Sequence, residues 1–258
     1  MRLGLATRGN THLDPEDVAR AVECGVNYLN WCGYDDGLAR AIRERLVDRS
    51  RVILAMQLES RDAAGAEREL EESFRLLGTD RIDVVTFYYV ERESEWKRIT
   101  APGGALEALR SFQDRRMVSL IGLTTHQRSL GAKSAESGKL DLLMIRYNAA
   151  HRGAEEDVFR VTDRLRVPVV VYTAQRWGAL VKPTQADPPG YRPPAAREWY
   201  RFTLFQPSVS VVLMAPASRR ELEENLTLLD DWRAPSAEEL EILSAHGRRV
   251  RRHAGVFW

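Results

Sequence analysis

The chain is poor in cysteine and lysine, has no long apolar run, and lacks an excess of either charge. Cys24 and Cys32 are too few for a disulfide framework and fall in no metal-type spacing, so a reducing compartment, the cytoplasm, is expected. No stretch reaches the length needed to span a bilayer, and Met1-Arg2-Leu3-Gly4-Leu5 shows no apolar run followed by a cleavage site. With 38 Lys+Arg against 37 Asp+Glu, interspersed, no global field points to nucleic acid or an anionic membrane. The run Arg248, Arg249, Arg251, Arg252 is the local exception and reads as the solvated face of a terminal helix. Lysine occurs only at Lys97, Lys133, Lys139 and Lys182, none at a strand end, which disfavours Schiff-base chemistry.

What the chain does have is alternation. Its 258 residues, 44% hydrophobic, supply a sizeable core, and short β-branched runs alternate with amphipathic stretches from end to end. The strand candidates are Leu3 to Thr7, Asn27 to Cys32, Val52 to Leu58, Ile82 to Val90, Val118 to Thr125, Leu142 to Asn148, Val167 to Thr173 and Val209 to Ala215. Runs such as Ile82-Asp83-Val84-Val85-Thr86-Phe87 suit strands buried on both faces. Helical spacing fills the gaps: Val18, Ala21 and Val22 follow the cap-like Asp14-Pro15, and Gly25 and Gly78 stand where helices should stop. A further helix is expected from Ser236 to about Arg252. No linker divides residues 1–258, and the proline-rich Asp187 to Pro194 reads as a stiff loop in the seventh unit. The expectation is a single α/β domain, a (β/α)8 TIM barrel with an extra C-terminal helix.

In such a barrel, function collects after the C-terminal ends of the strands. The residues there are polar and aromatic: Arg8 and Asn10; Asn30, Trp31 and Tyr34; Gln57 and Glu59; Tyr88, Tyr89 and Glu91; Thr124, Thr125 and His126; Tyr147, Asn148, His151 and Arg152; Tyr172, Gln175, Arg176 and Trp177; Ser218 and Arg219. Together they form a candidate pocket for a small-molecule substrate. A metal is not expected, because His151 and Glu155 have helix-like spacing but nothing completes a coordination shell.

Five segments, in order, resemble one known family. They are Gly25-Val26-Asn27-Tyr28-Leu29-Asn30, Leu77-Gly78-Thr79-Asp80-Arg81-Ile82-Asp83, Val118-Ser119-Leu120-Ile121-Gly122-Leu123-Thr124, Tyr147-Asn148-Ala149-Ala150-His151-Arg152, and Glu221-Leu222-Glu223-Glu224-Asn225-Leu226. In these the chain resembles the aldo/keto reductases, which implies an NADP(H)-linked barrel oxidoreductase acting on a carbonyl or alcohol. The resemblance also implies an Asp, Tyr, Lys and His set where this chain has Asn30, Tyr34, Gln57 and Tyr88. On the cofactor side it implies Thr124 at the nicotinamide carboxamide, Tyr172 stacked on the nicotinamide ring, and Ser218, Arg219, Arg220 and Asn225 toward the 2′-phosphate and adenine. Met144 falls where the family has a glutamine. The family's N-terminal hairpin, which closes the barrel floor, has no counterpart before the first strand.

In the family the tyrosine donates a proton to the carbonyl and is made more acidic by the lysine, a role Gln57 cannot fill. Asp and Lys are replaced together, however. Removing one member of a buried ion pair costs roughly 3–5 kcal/mol, whereas neutralising both can be nearly neutral, with an Asn30–Gln57 amide hydrogen bond as the expected substitute.

Three functional classes follow. The first is a nicotinamide-dependent reductase with altered proton delivery from Tyr34, Tyr88 or His126, the last being attractive because histidine is the side-chain type most used to give and take protons. The second is a cofactor-independent lyase or isomerase using Tyr34, Tyr88 and Tyr89 with Glu59, Glu91 or His126, with Trp31 and Trp177 stacking on a ring or sugar. The third is a binding protein without turnover.

Overall fold

The computed structural model describes residues 2–7 and 12–253, so Arg8 and Asn10 lie outside the described residues. Eight parallel strands, β1 (Leu3–Thr7), β2 (Tyr28–Trp31), β3 (Ile53–Leu58), β4 (Ile82–Phe87), β5 (Val118–Thr125), β6 (Leu142–Arg146), β7 (Val169–Tyr172) and β8 (Val209–Met214), close into a barrel in sequence order. Around it run α1 (Pro15–Glu23), α2 (Gly37–Arg43), α3 (Ala63–Leu77), α4 (Glu93–Thr100), α5 (Ala105–Asp114), α6 (Arg128–Glu136), α7 (Val158–Leu165), α8 (Ala196–Phe205), α9 (Arg219–Asp230) and α10 (Ala237–His253). The fold is the expected (β/α)8 barrel, with α10 as the extra C-terminal helix. No described helix is long and apolar enough to cross a membrane.

Local chemistry sets the boundaries. Asp14 and Asp17 form a capping box on α1, and Gly78 ends α3 in the left-handed conformation at φ 61°. The fourth and seventh strands stop short of their expected ends because Tyr89 and Thr173 turn to φ 36° and 55°, which an extended ladder cannot accommodate.

The register separates two cores. Leu3, Leu5, Leu29, Leu54 and Val85 belong to the large cluster that includes the helices' apolar side chains. Ala6, Tyr28, Ala55, Val84, Leu142, Met144, Val170, Tyr172 and Leu213 form a second, internal cluster. The pairs Ala6↔Asn30, Asn30↔Ala55, Gln57↔Thr86, Thr124↔Met144 and Arg146↔Tyr172 place Asn30, Gln57, Thr124 and Arg146 on the inward face as well. Packing inside is tight: a Cβ on Gly122 would come within 2.8 Å of Leu142. At the opposite, N-terminal end, Ile53 and Leu120 have the same parity and stay exposed, so the floor lacks an apolar cover among the described residues.

Candidate functional site

Toward the barrel mouth the inward side chains of β2 and β3, Asn30 and Gln57, are neutral amides, and they do not bond to one another. Asn30 is buried and its Nδ2 donates to Cys32 Sγ at 3.5 Å, while Gln57 Nε2 donates to Met144 Sδ at 3.8 Å. The expected amide–amide bond is therefore replaced by two weak contacts to sulfur. Asn30 Oδ1 and Gln57 Oε1 are left buried without partners, as are Tyr28 OH and Thr124 Oγ1. Four orphaned polar atoms on three strands are costly unless a ligand or water meets them.

Tyr34 stands apart from this wall. It is 58% exposed, and its carbonyl accepts from Trp31 Nε1 at 2.6 Å. Trp31 itself is buried in the outer core, because its position in β2 points away from the barrel interior. It is packing, not a stacking platform. Trp177 is exposed at the mouth, in a loop where Arg176 and Trp177 both adopt positive φ.

A more connected arrangement lies across β4, β5 and β7. Tyr88 stacks on Tyr89 with ring centroids 4.2 Å apart, Tyr89 lies 4.5 Å from His126, and His126 meets Tyr172 edge-on at 5.4 Å. Glu91 ties the group together: its Oε1 accepts from the His126 backbone N–H at 2.9 Å and lies 3.0 Å from His126 Nδ1, while its Oε2 accepts from Gln127 at 3.1 Å. Burial pushes the Glu91 carboxyl up, but the bonds from His126 and Gln127 outweigh it and leave the group below its ordinary value. An ionised carboxylate on Nδ1 fixes the proton there and leaves Nε2 for chemistry. Tyr172 donates to Thr125 O at 2.9 Å, and burial, followed by the nearby Tyr89 and Glu91, raises its pKa well above the ordinary tyrosine value.

Several residues of the expected ring serve the scaffold. Tyr147 donates to Glu155 at 2.6 Å, and Glu155 also pairs with Arg152 at 2.7 Å, so neither carboxylate oxygen turns to His151. Asn148 accepts from Ala150 and His151 and donates to Thr173 O at 2.8 Å, fastening the β6 loop to the end of β7. Arg61, which the sequence did not single out, donates to the carbonyls of Glu59 and Tyr88 and braces the β3 and β4 loops. The stiff loop 187–194 is tied to α10, with Asp187 accepting from Arg249 at 2.6 Å. Among the described residues no group of three or more His, Cys, Asp or Glu is placed to hold a metal ion.

The positions expected to hold a dinucleotide are mixed. Asn225 Oδ1 and Thr124 Oγ1 are buried and unmet, which suits an adenine amino group at one end and a carboxamide at the other. Ser218 is the N-cap of α9. Arg219 is engaged by Asp17 at 2.6 Å and Glu223 at 3.1 Å, and Arg220 faces Glu224 at 3.6 Å.

The family model that matches is that of the aldo/keto reductase family, over residues 1–199. Among solved structures, the holo form of aldo-keto reductase AKR11C1 from Bacillus halodurans superposes with a TM-score of 0.75 at 18% identity, covering 95% of this chain and 91% of that one. A putative 2,5-diketo-D-gluconic acid reductase B gives 0.72 at 20% identity, covering 95% and 87%. An aldo/keto reductase from Brucella melitensis gives 0.72 at 13%, covering 95% and 92%. These identities speak for the fold. No curated protein sequence matches significantly.

Proposed function

Because the chain belongs to the aldo/keto reductase family, we propose that it is an NADP(H)-linked oxidoreductase of a small carbonyl compound in which His126, held by Glu91, delivers the proton. The observation that carries this is the 3.0 Å contact between His126 Nδ1 and Glu91, with the ring set edge-on to Tyr172. A bound reduced nicotinamide supplies the hydride. The chain's own residues orient and protonate: Glu91 stabilises the imidazolium, His126 Nε2 gives its proton to the carbonyl oxygen as charge develops there, and the alcohol leaves with His126 neutral. Asn30 and Gln57 contribute acceptors, not charge, so the β2–β3 wall orients polar groups of the substrate. Tyr34 and Tyr88 remain candidate donors by sequence position, but Tyr34 faces solvent and Tyr88 is stacked on Tyr89. For the dinucleotide, Asn225 and Thr124 supply unmet acceptors, and Arg219 would meet a 2′-phosphate only by exchanging its carboxylate partners.

A second reading, acid–base lyase or isomerase chemistry without cofactor, is favoured by one observation. Tyr172, the expected nicotinamide platform, is only 6% exposed beneath Tyr89 and His126. Titration of the protein with NADPH and NADP, followed by fluorescence and thermal shift, separates the two. Binding followed by NADPH oxidation with a carbonyl panel supports the reductase. No binding of either form at millimolar concentration sinks it and leaves the acid–base reading.

A further inference from the structure

On the far side of His126 the barrel mouth opens into a cavity of about 200 Å3 lined by His126, Arg128, Arg146, His151, Gly153 and Arg251. Its cations come from separate elements: Arg128 opens α6, Arg146 ends β6 on the inward face, and Arg251 lies near the end of α10. Arg128 is partly neutralised by Asp157 at 3.0 Å and Glu156 at 3.9 Å. Among the described residues neither Arg146 nor Arg251 forms an ion pair, although Arg146 is half-buried.

Three details suit a surface shaped to receive an anion. A Cβ on Gly153 would stand 2.2 Å from Arg128 Nη1 and 2.5 Å from its Cζ, so the missing side chain is what lets that guanidinium lie across the loop. Arg176, 3% exposed, donates from Nε to His151 Nε2 at 3.0 Å, which puts the imidazole proton on Nδ1 as a neutral donor. Burial and the surrounding charges of Arg146, Arg176 and Arg251 push His151 down to about 4, so it adds no charge of its own near neutrality. The Gln127 side chain, in the N-cap position of α6, bonds to Glu91 instead of capping, and no acid stands in the first turn of α6.

Size and geometry narrow the ligand. At roughly 30 Å3 per water the space corresponds to about six or seven waters, and it falls below the roughly 300–1,000 Å3 of sites for drug-sized molecules. The space is too small to enclose a whole dinucleotide, but an oxyanion with a short carbon stub fits. A planar carboxylate is satisfied by one guanidinium fork, whereas three guanidinium groups and an N–H converging from four elements suit a tetrahedral dianion. We infer that this cavity binds the phosphate monoester of a small carbonyl compound and so brings the carbonyl beside His126. Binding of the ester stands on the cavity alone; its identity as substrate rests on the reductase reading above.

Isothermal titration of the full chain in phosphate-free, low-salt buffer tests the first part, with glycerol 3-phosphate, glycerol and inorganic phosphate as probes. Wild type should bind glycerol 3-phosphate at least tenfold more tightly than glycerol or inorganic phosphate. Arg146→Met should weaken it tenfold or more, Gly153→Ala several-fold, and the exposed Arg251→Met several-fold without risk to folding. Ester binding no tighter than glycerol, no preference over inorganic phosphate, or unchanged affinity in both Arg146→Met and Arg251→Met overturns the inference. Displacement of glycerol 3-phosphate by NADPH in direct competition also overturns it, by giving the site to the cofactor. With NADPH present, the KM for glyceraldehyde 3-phosphate should lie tenfold or more below that for glyceraldehyde, and the gap should close in Arg146→Met. Arginine-dependent ester binding with no NADPH oxidation upholds the site and removes the reductase. NADPH oxidation equal for both aldehydes, without ester binding, upholds the reductase and removes the site.

Discussion

Two walls of one barrel mouth contrast in how their polar groups are satisfied. On the β2–β3 side, Asn30 and Gln57 touch only sulfur through their amide nitrogens, leave both carbonyl oxygens unmet, and have Tyr34 turned to solvent. On the β4–β5–β7 side, Glu91, His126, Tyr89 and Tyr172 are joined by hydrogen bonds and ring contacts. A wall with unmet acceptors is ready to receive a ligand's donors, whereas a wall with an oriented imidazole is ready to move a proton. A sequence resemblance points to the first wall; physical organisation marks the second.

The sharpest way to break this contrast is to exchange one residue from each wall. His126→Ala should lower turnover by roughly 10²–10⁴-fold, the usual span for a general acid, while Tyr34→Phe stays within about twofold. Steady-state NADPH oxidation by both variants is the check, and the reverse order would return the chemistry to the β2–β3 side. Next in size is a charge introduced into the neutral wall. Asn30→Asp or Gln57→Lys alone should cost about 3–5 kcal/mol in urea unfolding, and the double variant should recover most of that, giving a large coupling term in the cycle.

Glu91→Gln keeps the shape of the second wall but removes its charge. A fall of about tenfold or more in kcat is expected, with the tautomer of His126 no longer fixed; an unchanged rate would reduce Glu91 to a scaffold. The smallest effect concerns His151. Its folded value, pushed down to about 4, lies below the ordinary value of 6.5, so the unfolded chain binds the extra proton between those limits. Stability should therefore fall as pH drops from about 6.5 to about 4, by about 1 kcal/mol once partial exposure is allowed for. Tm against pH should show that slope in wild type and less of it in His151→Gln.

The barrel was legible because its strands are buried on both faces and read as short continuous apolar runs, each followed by a helix-spaced segment. The candidate site was legible as a set of polar residues after the strands, and its pairings were not. Glu91 and His126 were both visible as polar residues after strands, but they are 35 positions apart, and only the adjacency of β4 and β5 brings them together. Tyr34 was placed in the pocket by family position, yet the Trp31 indole holds the turn so that its ring faces solvent. Arg219 looked available for a phosphate until α1 supplied Asp17 from 202 positions away. Arg251 sat in a run that read as a solvated face, and it lines the cavity because α10 ends over the β6 loop. Apart from Tyr34, whose contact with Trp31 spans only three positions, the missing information was a long-range contact, which local pattern does not encode.

The neutral pair at positions 30 and 57 also limits which changes the wall tolerates. Exchanging them for aspartate and lysine one residue at a time must pass through one stranded charge, and a penalty of about 3–5 kcal/mol is a large share of the roughly 5–15 kcal/mol that keeps a typical domain folded. Substitutions among uncharged residues at either position meet no such barrier. A barrel with this wall therefore exchanges neutral residues there easily and reaches a charged pair only by a double step, so the wall acts as a threshold between neutral and charged forms of the same barrel.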